Sequence, residues 1–147
     1  AVMNDGKALM LILEEFNQAI HQARDLPRLS PYAVKLQEVV EILRNVTSHL
    51  LNLAGTKGPE VFLADATLYL EMFGIVVIAW QWLLQGIAVC KAMEKGVSKS
   101  DEHFYQGKLI TLRYFFGYEL PKIQGLARRL TDEDFSTIDM KASFFDD

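Results

Sequence analysis

One cysteine, Cys90, is all this chain of 147 residues has, so no internal disulfide is possible and a reducing, cytoplasmic setting is the expectation. Prolines number four and no Asn-Gly or Asp-Gly sits between alternating apolar runs, which removes the usual hairpin signals. There is no C-x-x-C, no His-Glu-x-x-His and no Glu-x-x-His, so the sequence patterns of structural zinc, zinc-protease and di-iron sites are missing. His21, His49 and His103 stand far apart, and no metal site is expected from them. No G-x-S-x-G, Walker loop or G-x-G-x-x-G occurs; the nine glycines are scattered. A net charge of −4 and a pI near 5.4 give no basic footprint for nucleic acid. The N-terminus AVMNDGKALM lacks the basic and apolar regions of a signal peptide, and its missing initiator Met fits either a trimmed start or a piece of a longer chain.

What the chain does have is hydrophobic periodicity. Half of its residues are hydrophobic. Leu9, Ile12, Leu13, Phe16, Ile20 and Ala23 recur at spacings of three and four, predicting a helix from about Asn4 to Arg24, ended by Pro27. Ser30-Pro31 then reads as a cap with proline at the first helical position. Leu36, Val39, Val40, Leu43, Val46, Leu50 and Leu53 carry the stripe of that second helix, with Gly55 as its expected C-terminal cap. A third helix is predicted from Pro59 to about Lys95, about 55 Å if straight. A fourth runs from near Asp101 to Leu130, with Phe104, Leu109, Leu112, Phe115, Phe116 and Leu120 on its apolar face and Pro121 kinking or splitting it. The fold class expected is all-α, an antiparallel up-down four-helix bundle over 1–130, with long third and fourth helices and an acidic, partly ordered tail over 131–147.

The stretch Met72–Cys90, MFGIVVIAWQWLLQGIAVC, has nineteen residues and no charge, the length of a membrane span. Trp80 and Trp82 sit in its middle, however, and not at interfacial ends. Thr67, Glu71, Gly74, Gln81, Gln85, Ala88 and Lys95 form one small-or-polar seam along it. A helix apolar on its other faces, with three amphipathic companions to cover it, reads as the buried helix of a bundle, and no membrane span is expected.

Few residues invite chemistry. Glu71 and Glu119 lie among apolar neighbours, where burial raises a carboxyl pKa; a structural pairing with Lys108 or Arg113 is the simpler expectation. Lys108, Arg113 and Tyr114 in FYQGKLITLRYFF are the candidate interaction or anion contacts, against the alternative that the two cations merely snorkel. Gly107, Gly117 and Gly125 are expected to permit close helix packing. Tyr69, Phe73, Trp80, Phe104, Tyr105 and Tyr114 either line a pocket between helices or pack the core.

Two stretches taken together, FLADATLYLEMFGIVVIAWQWLLQGIAVCKAM and FYQGKLITLRYFFGYELPKI, resemble the extra C-terminal domain of a bacterial acyl-CoA dehydrogenase group, of the methylmercaptopropionyl-CoA dehydrogenase type. The resemblance rests on Tyr69, Leu70, Phe73, Gly74, Trp80 and Trp82, then on Phe104, Tyr105, Gly107, Lys108, Arg113, Tyr114, Phe115, Leu120 and Pro121. NDGKALMLILEEF is similar in kind, so the likeness spans roughly residues 4–130. It implies flavoenzymes that oxidise acyl-CoA thioesters at the α,β position, with FAD and the proton-abstracting glutamate held in a body that precedes this domain. Nothing in this chain matches those flavin-binding strands or that glutamate, so the resemblance carries over no catalytic, cofactor-binding or metal residue. It implies the catalytic body of the parent chain as partner, acyl-CoA as the parent's substrate, and a homo-oligomer. The alternative is a stand-alone helical bundle that binds a protein or an apolar ligand.

Overall fold

The structure is a computed structural model that describes residues 2–146, with side chains from Gly6 to Asp146. Ala1 and Asp147, the outer ends of the two expected spans, and the side chains of Asn4 and Asp5 lie outside the described residues. Every regular element among the described residues is helical: α1 Val2–Arg24, α2 Ser30–Lys57, α3 Pro59–Ala64, α4 Ala66–Glu94, α5 Lys99–Tyr114, α6 Lys122–Thr131 and α7 Ser136–Asp139. A π-turn, Phe115–Glu119, joins α5 to α6, and a 3₁₀ turn covers Ala142–Phe145.

The predicted stripes of α1 and α2 become the core. Phe16, Ala23, Leu36 and Leu43 are fully buried, beside Met72, Val76 and Leu83 of α4 and Leu112, Phe116, Ile123 and Leu130 from α5 to α6. α4 lies centrally, touching α1, α2, α5 and α6. The elements begin and end differently from the sequence reading in four places. Leu29, fully buried, is the N-cap of α2, and Ser30 is already helical, because a run of tight turns from Leu26 to Leu29 delivers the chain into the helix. α2 continues through Gly55 and stops at Gly58, whose φ of +94° lies where an L side chain is strained. α5 starts at Lys99 because the Ser98 Oγ accepts the Asp101 N–H at 3.2 Å.

The fourth difference matters most for the site. The third predicted helix is two helices, broken at Asp65, whose φ of −113° and ψ of 17° leave the helical region. Its carboxylate Oδ2 accepts a hydrogen bond from the Arg129 Nη2 at 3.1 Å, and its carbonyl still accepts from the Tyr69 N–H at 3.1 Å. The break at Pro121 has a local cause. Proline lacks an N–H and its ring conflicts with the carbonyl four residues back, that of Gly117, so the turn before it widens. The Leu120 N–H accordingly reaches Phe115 O, five residues back, at 3.0 Å.

The polar seam of α4 faces solvent: Thr67, Glu71, Gln81, Gln85, Ala88 and, at the C-cap, Lys95 are exposed, and Gly74 is partly exposed. Leu70 and Ile78 share that strip, 68% and 48% exposed. α4 is long and apolar enough to cross a membrane by length and composition, but here four helices pack against it.

Candidate functional site

At one end of the molecule the helices do not close. The N-terminal part of α1, the C-terminal part of α2, α3 and the start of α4 surround a cavity of about 610 Å³. Leu9 and Ile12 supply one wall, Leu51 a second, Phe62 a third, and Tyr69 with Phe73 a fourth. The opening has an architectural cause. Leu13 and Phe16 are buried a turn further along α1, whereas α3 contributes no fully buried residue. The Asp65–Arg129 pair and the turn at Gly58 fix both ends of α3, so it stands as a wall and does not collapse inward.

Among the described residues two hydroxyls provide the polar content of this lining beyond its backbone. The Thr47 Oγ donates to Leu43 O at 2.7 Å, and Thr47 and Tyr69 share a hydrogen bond of 2.7 Å. A threonine hydroxyl has one proton. With that proton given to Leu43, the Tyr69 hydroxyl is the donor to Thr47, and both oxygens keep lone pairs free. The rings of Tyr69, Phe62 and Phe73 lie near one another, with centroids 6.5 and 6.2 Å from that of Tyr69.

The structure separates the six aromatics read as one cluster. Tyr69 and Phe73 line the cavity, while Trp80 packs edge-on against Phe16 at 5.4 Å. Phe104 and Tyr105 pair with each other on α5, and Tyr114 stacks on Tyr118 at 4.6 Å. Two polar atoms, His49 Nε2 and Trp80 Nε1, are buried with no hydrogen-bond partner among the described residues.

Lys108, Arg113 and Tyr114 do not converge. Steps of five and six residues rotate Arg113 and Tyr114 by roughly 140° and 240° from Lys108 around α5. Lys108 turns to α4: its Nζ donates to Gln85 Oε1 at 3.1 Å and lies 5.6 and 5.4 Å from the Trp82 and Phe104 rings. Arg113 and Tyr114 are exposed, and Arg113 makes no ion pair among the described residues. The expected pairing of Glu71 and Glu119 with Lys108 or Arg113 is not what forms. Glu71 is exposed, and Glu119 takes Lys122, one helical turn away across Pro121, at 2.7 Å. Close packing at Gly107, Gly117 and Gly125 does not occur either, since an added Cβ there would meet nothing within 4 Å. The close approach is at Gly86, where an added Cβ would lie 2.7 Å from Leu112 Cδ1.

Among the described residues no three of His, Cys, Asp and Glu gather as a metal site. Among the described residues the cavity lining holds no cationic side chain. A family model described as "Acetyl-CoA dehydrogenase C-terminal like" matches residues 12–141. The chain belongs to that family. The match begins at Ile12, the last cavity-lining residue of α1, and runs past α7, so this C-terminal-like domain includes the segment after Leu130 that Arg129 holds through Asp134 O at 2.7 Å. No curated protein matches the sequence.

Proposed function

We propose that this chain is the C-terminal accessory domain of a longer, FAD-dependent acyl-CoA dehydrogenase, supporting its assembly or its acyl-CoA entrance while the body performs the α,β-oxidation. Family membership is the observation that carries the reading. Exposed apolar side chains on α4 and α5 support it. Leu70 and Ile78 on α4, and Phe104, Ile110, Tyr114 and Tyr118 on α5 and the π-turn, are each about half exposed or more. Exposed apolar side chains are what a further domain covers. Arg113 and Tyr114 are exposed and are the proposed contacts with the body, a partner subunit or the CoA phosphates; Lys108, turned to Gln85, would brace α5 against α4.

The same reading places the protein in the cytoplasm and treats α4 as a core helix. It takes the helices as an up-down-up-down bundle, with α5 and α6 together as the fourth member. Three links support that order: Thr47 to Tyr69 between α2 and α4, Phe16 to Trp80 between α1 and α4, and Asp65 to Arg129 between the start of α4 and the end of α6. The test is the intact mass of the native polypeptide that contains these residues, purified from its source. A mass several times 16.7 kDa, with bound flavin, is expected. A mass near 16.7 kDa would overturn the proposal.

A further inference from the structure

We propose that the cavity at the open end of the helices binds an uncharged aliphatic molecule that ends in a hydrogen-bond donor, a medium- or long-chain primary alcohol. This goes beyond the accessory role and does not depend on it. The volume of about 610 Å³ falls in the range of about 300–1,000 Å³ typical of small-molecule sites. The walls come from four helices and, among the described residues, are aliphatic or aromatic apart from the Thr47 hydroxyl, with Tyr69 the one titratable side chain. A charged ligand would leave water and find no opposite charge among the described lining residues, which is costly. An alkyl chain gains from the same surface, and it covers the rim side chains Leu51 and Leu63, which stand 52% and 65% exposed.

The hydroxyl pair decides the polar end. Thr47 has given its proton to Leu43 O and Tyr69 has given its proton to Thr47, so the pair offers acceptors and no free donor. An alcohol donates to Tyr69 or Thr47 without breaking either bond. A carboxylate must first withdraw the Tyr69 proton from Thr47, and it then meets no opposite charge among the described lining residues. Decan-1-ol and decanoate are matched in length and differ at this end, which makes them the probes.

The experiment titrates the 147-residue chain with each compound at pH 7.5, following binding by calorimetry and the unfolding midpoint by circular dichroism. Decan-1-ol is expected to raise the midpoint in a concentration-dependent way and to bind at least about tenfold tighter than decanoate. Ala54→Phe, which fills the cavity, should abolish the shift, and Leu51→Trp provides a second filling variant. Thr47→Val with Tyr69→Phe should weaken decan-1-ol by about tenfold, the effect of one hydrogen bond of about 1.4 kcal/mol. No midpoint shift with decan-1-ol, a shift undiminished in a folded filling variant, or decanoate binding as tightly as the alcohol would each overturn the proposal. Should neither filling variant fold, the alcohol-to-carboxylate comparison on the unaltered chain decides it.

Discussion

Replacing Gly86 by alanine sets two effects of known size against each other. In a helix interior alanine is favoured over glycine by about 1 kcal/mol. At Gly86 the new methyl would lie 2.7 Å from Leu112 Cδ1 and 3.1 Å from Leu29 Cδ2. Relaxed carbon contacts are about 3.5–4.0 Å, so Leu112 must retreat by about 0.8 Å or more. Its methyl ends a flexible side chain, but Leu112 and Leu29 are 1% and 0% exposed, and neighbours hold both. Overpacking of this kind costs about 1–3 kcal/mol. The net expectation is a destabilisation of about 1 kcal/mol for Gly86→Ala, and more for the bulkier Gly86→Val. Gly107→Ala is the control. It lies within α5, is exposed and has nothing within 4 Å of the added Cβ, so the helix preference acts alone and stabilises by about 1 kcal/mol. In thermal unfolding the two variants should move the midpoint in opposite directions, each by roughly 2–4 °C for a chain of this size. A Gly86→Ala midpoint that rises as far as that of Gly107→Ala would refute the idea that α4, α5 and the turn before α2 meet tightly at this residue.

Three further outcomes follow from single contacts. Arg129→Ala removes hydrogen bonds to Asp65 at 3.1 Å and to Asp134 O at 2.7 Å; with the guanidinium about a third exposed, the cost is about 1–2 kcal/mol, and amide exchange over residues 134–139 should accelerate. Unchanged exchange there would show that Arg129 does not tether the segment. Burial pushes the Cys90 thiol above its ordinary range, opposed by Arg28 and aided by Glu94. Its folded pKa is thus above its unfolded one, so its contribution to stability is complete below the thiol's ordinary range and disappears as pH rises through the folded value. Unfolding midpoints of the native chain and of Cys90→Ala should converge as the solution is made alkaline, and a constant gap would contradict this. Lys108→Met loses the Gln85 bond and two ring contacts and should cost about 1 kcal/mol in urea unfolding, whereas Arg113→Ala should stay within about 0.5 kcal/mol. Equal losses would mean that Lys108 does not brace α5.

The stripes of α1 and α2 are legible in the sequence because each residue's fate there follows from its own spacing, and Phe16, Leu36 and Leu43 are buried where period predicts. The break at Asp65 is not legible. Leu-Ala-Asp-Ala-Thr is compatible with an unbroken helix, and the side chain that pairs with Asp65 lies 64 residues further on. Glycine usage is equally hidden. Nine glycines are visible, but only a crossing helix distinguishes Gly86 from Gly107, and the crossing is a tertiary fact.

The cavity shows how a site can be composed of residues that individually look ordinary. Leu9 and Ile12 continue the periodic stripe that buries Leu13 and Phe16, and nothing in their spacing marks them as different. What separates them is graded burial: both are partly exposed, while Phe16 is fully enclosed. The gradient arises because α3 leaves the axis of α4 at Asp65 and is held there, so the space beside Leu9 is bounded without being filled. Tyr69 falls at this edge, one turn into α4, and there its hydroxyl meets Thr47 of α2 instead of water. A kink specified at long range therefore turns the end of an apolar stripe into a walled space with one polar corner. A variant that straightens α3 into α4, such as Asp65→Leu, should close that space and abolish binding of decan-1-ol while leaving the Phe16–Trp80 contact in the middle of the molecule intact. Binding that survives Asp65→Leu would show that the break is not what holds the cavity open.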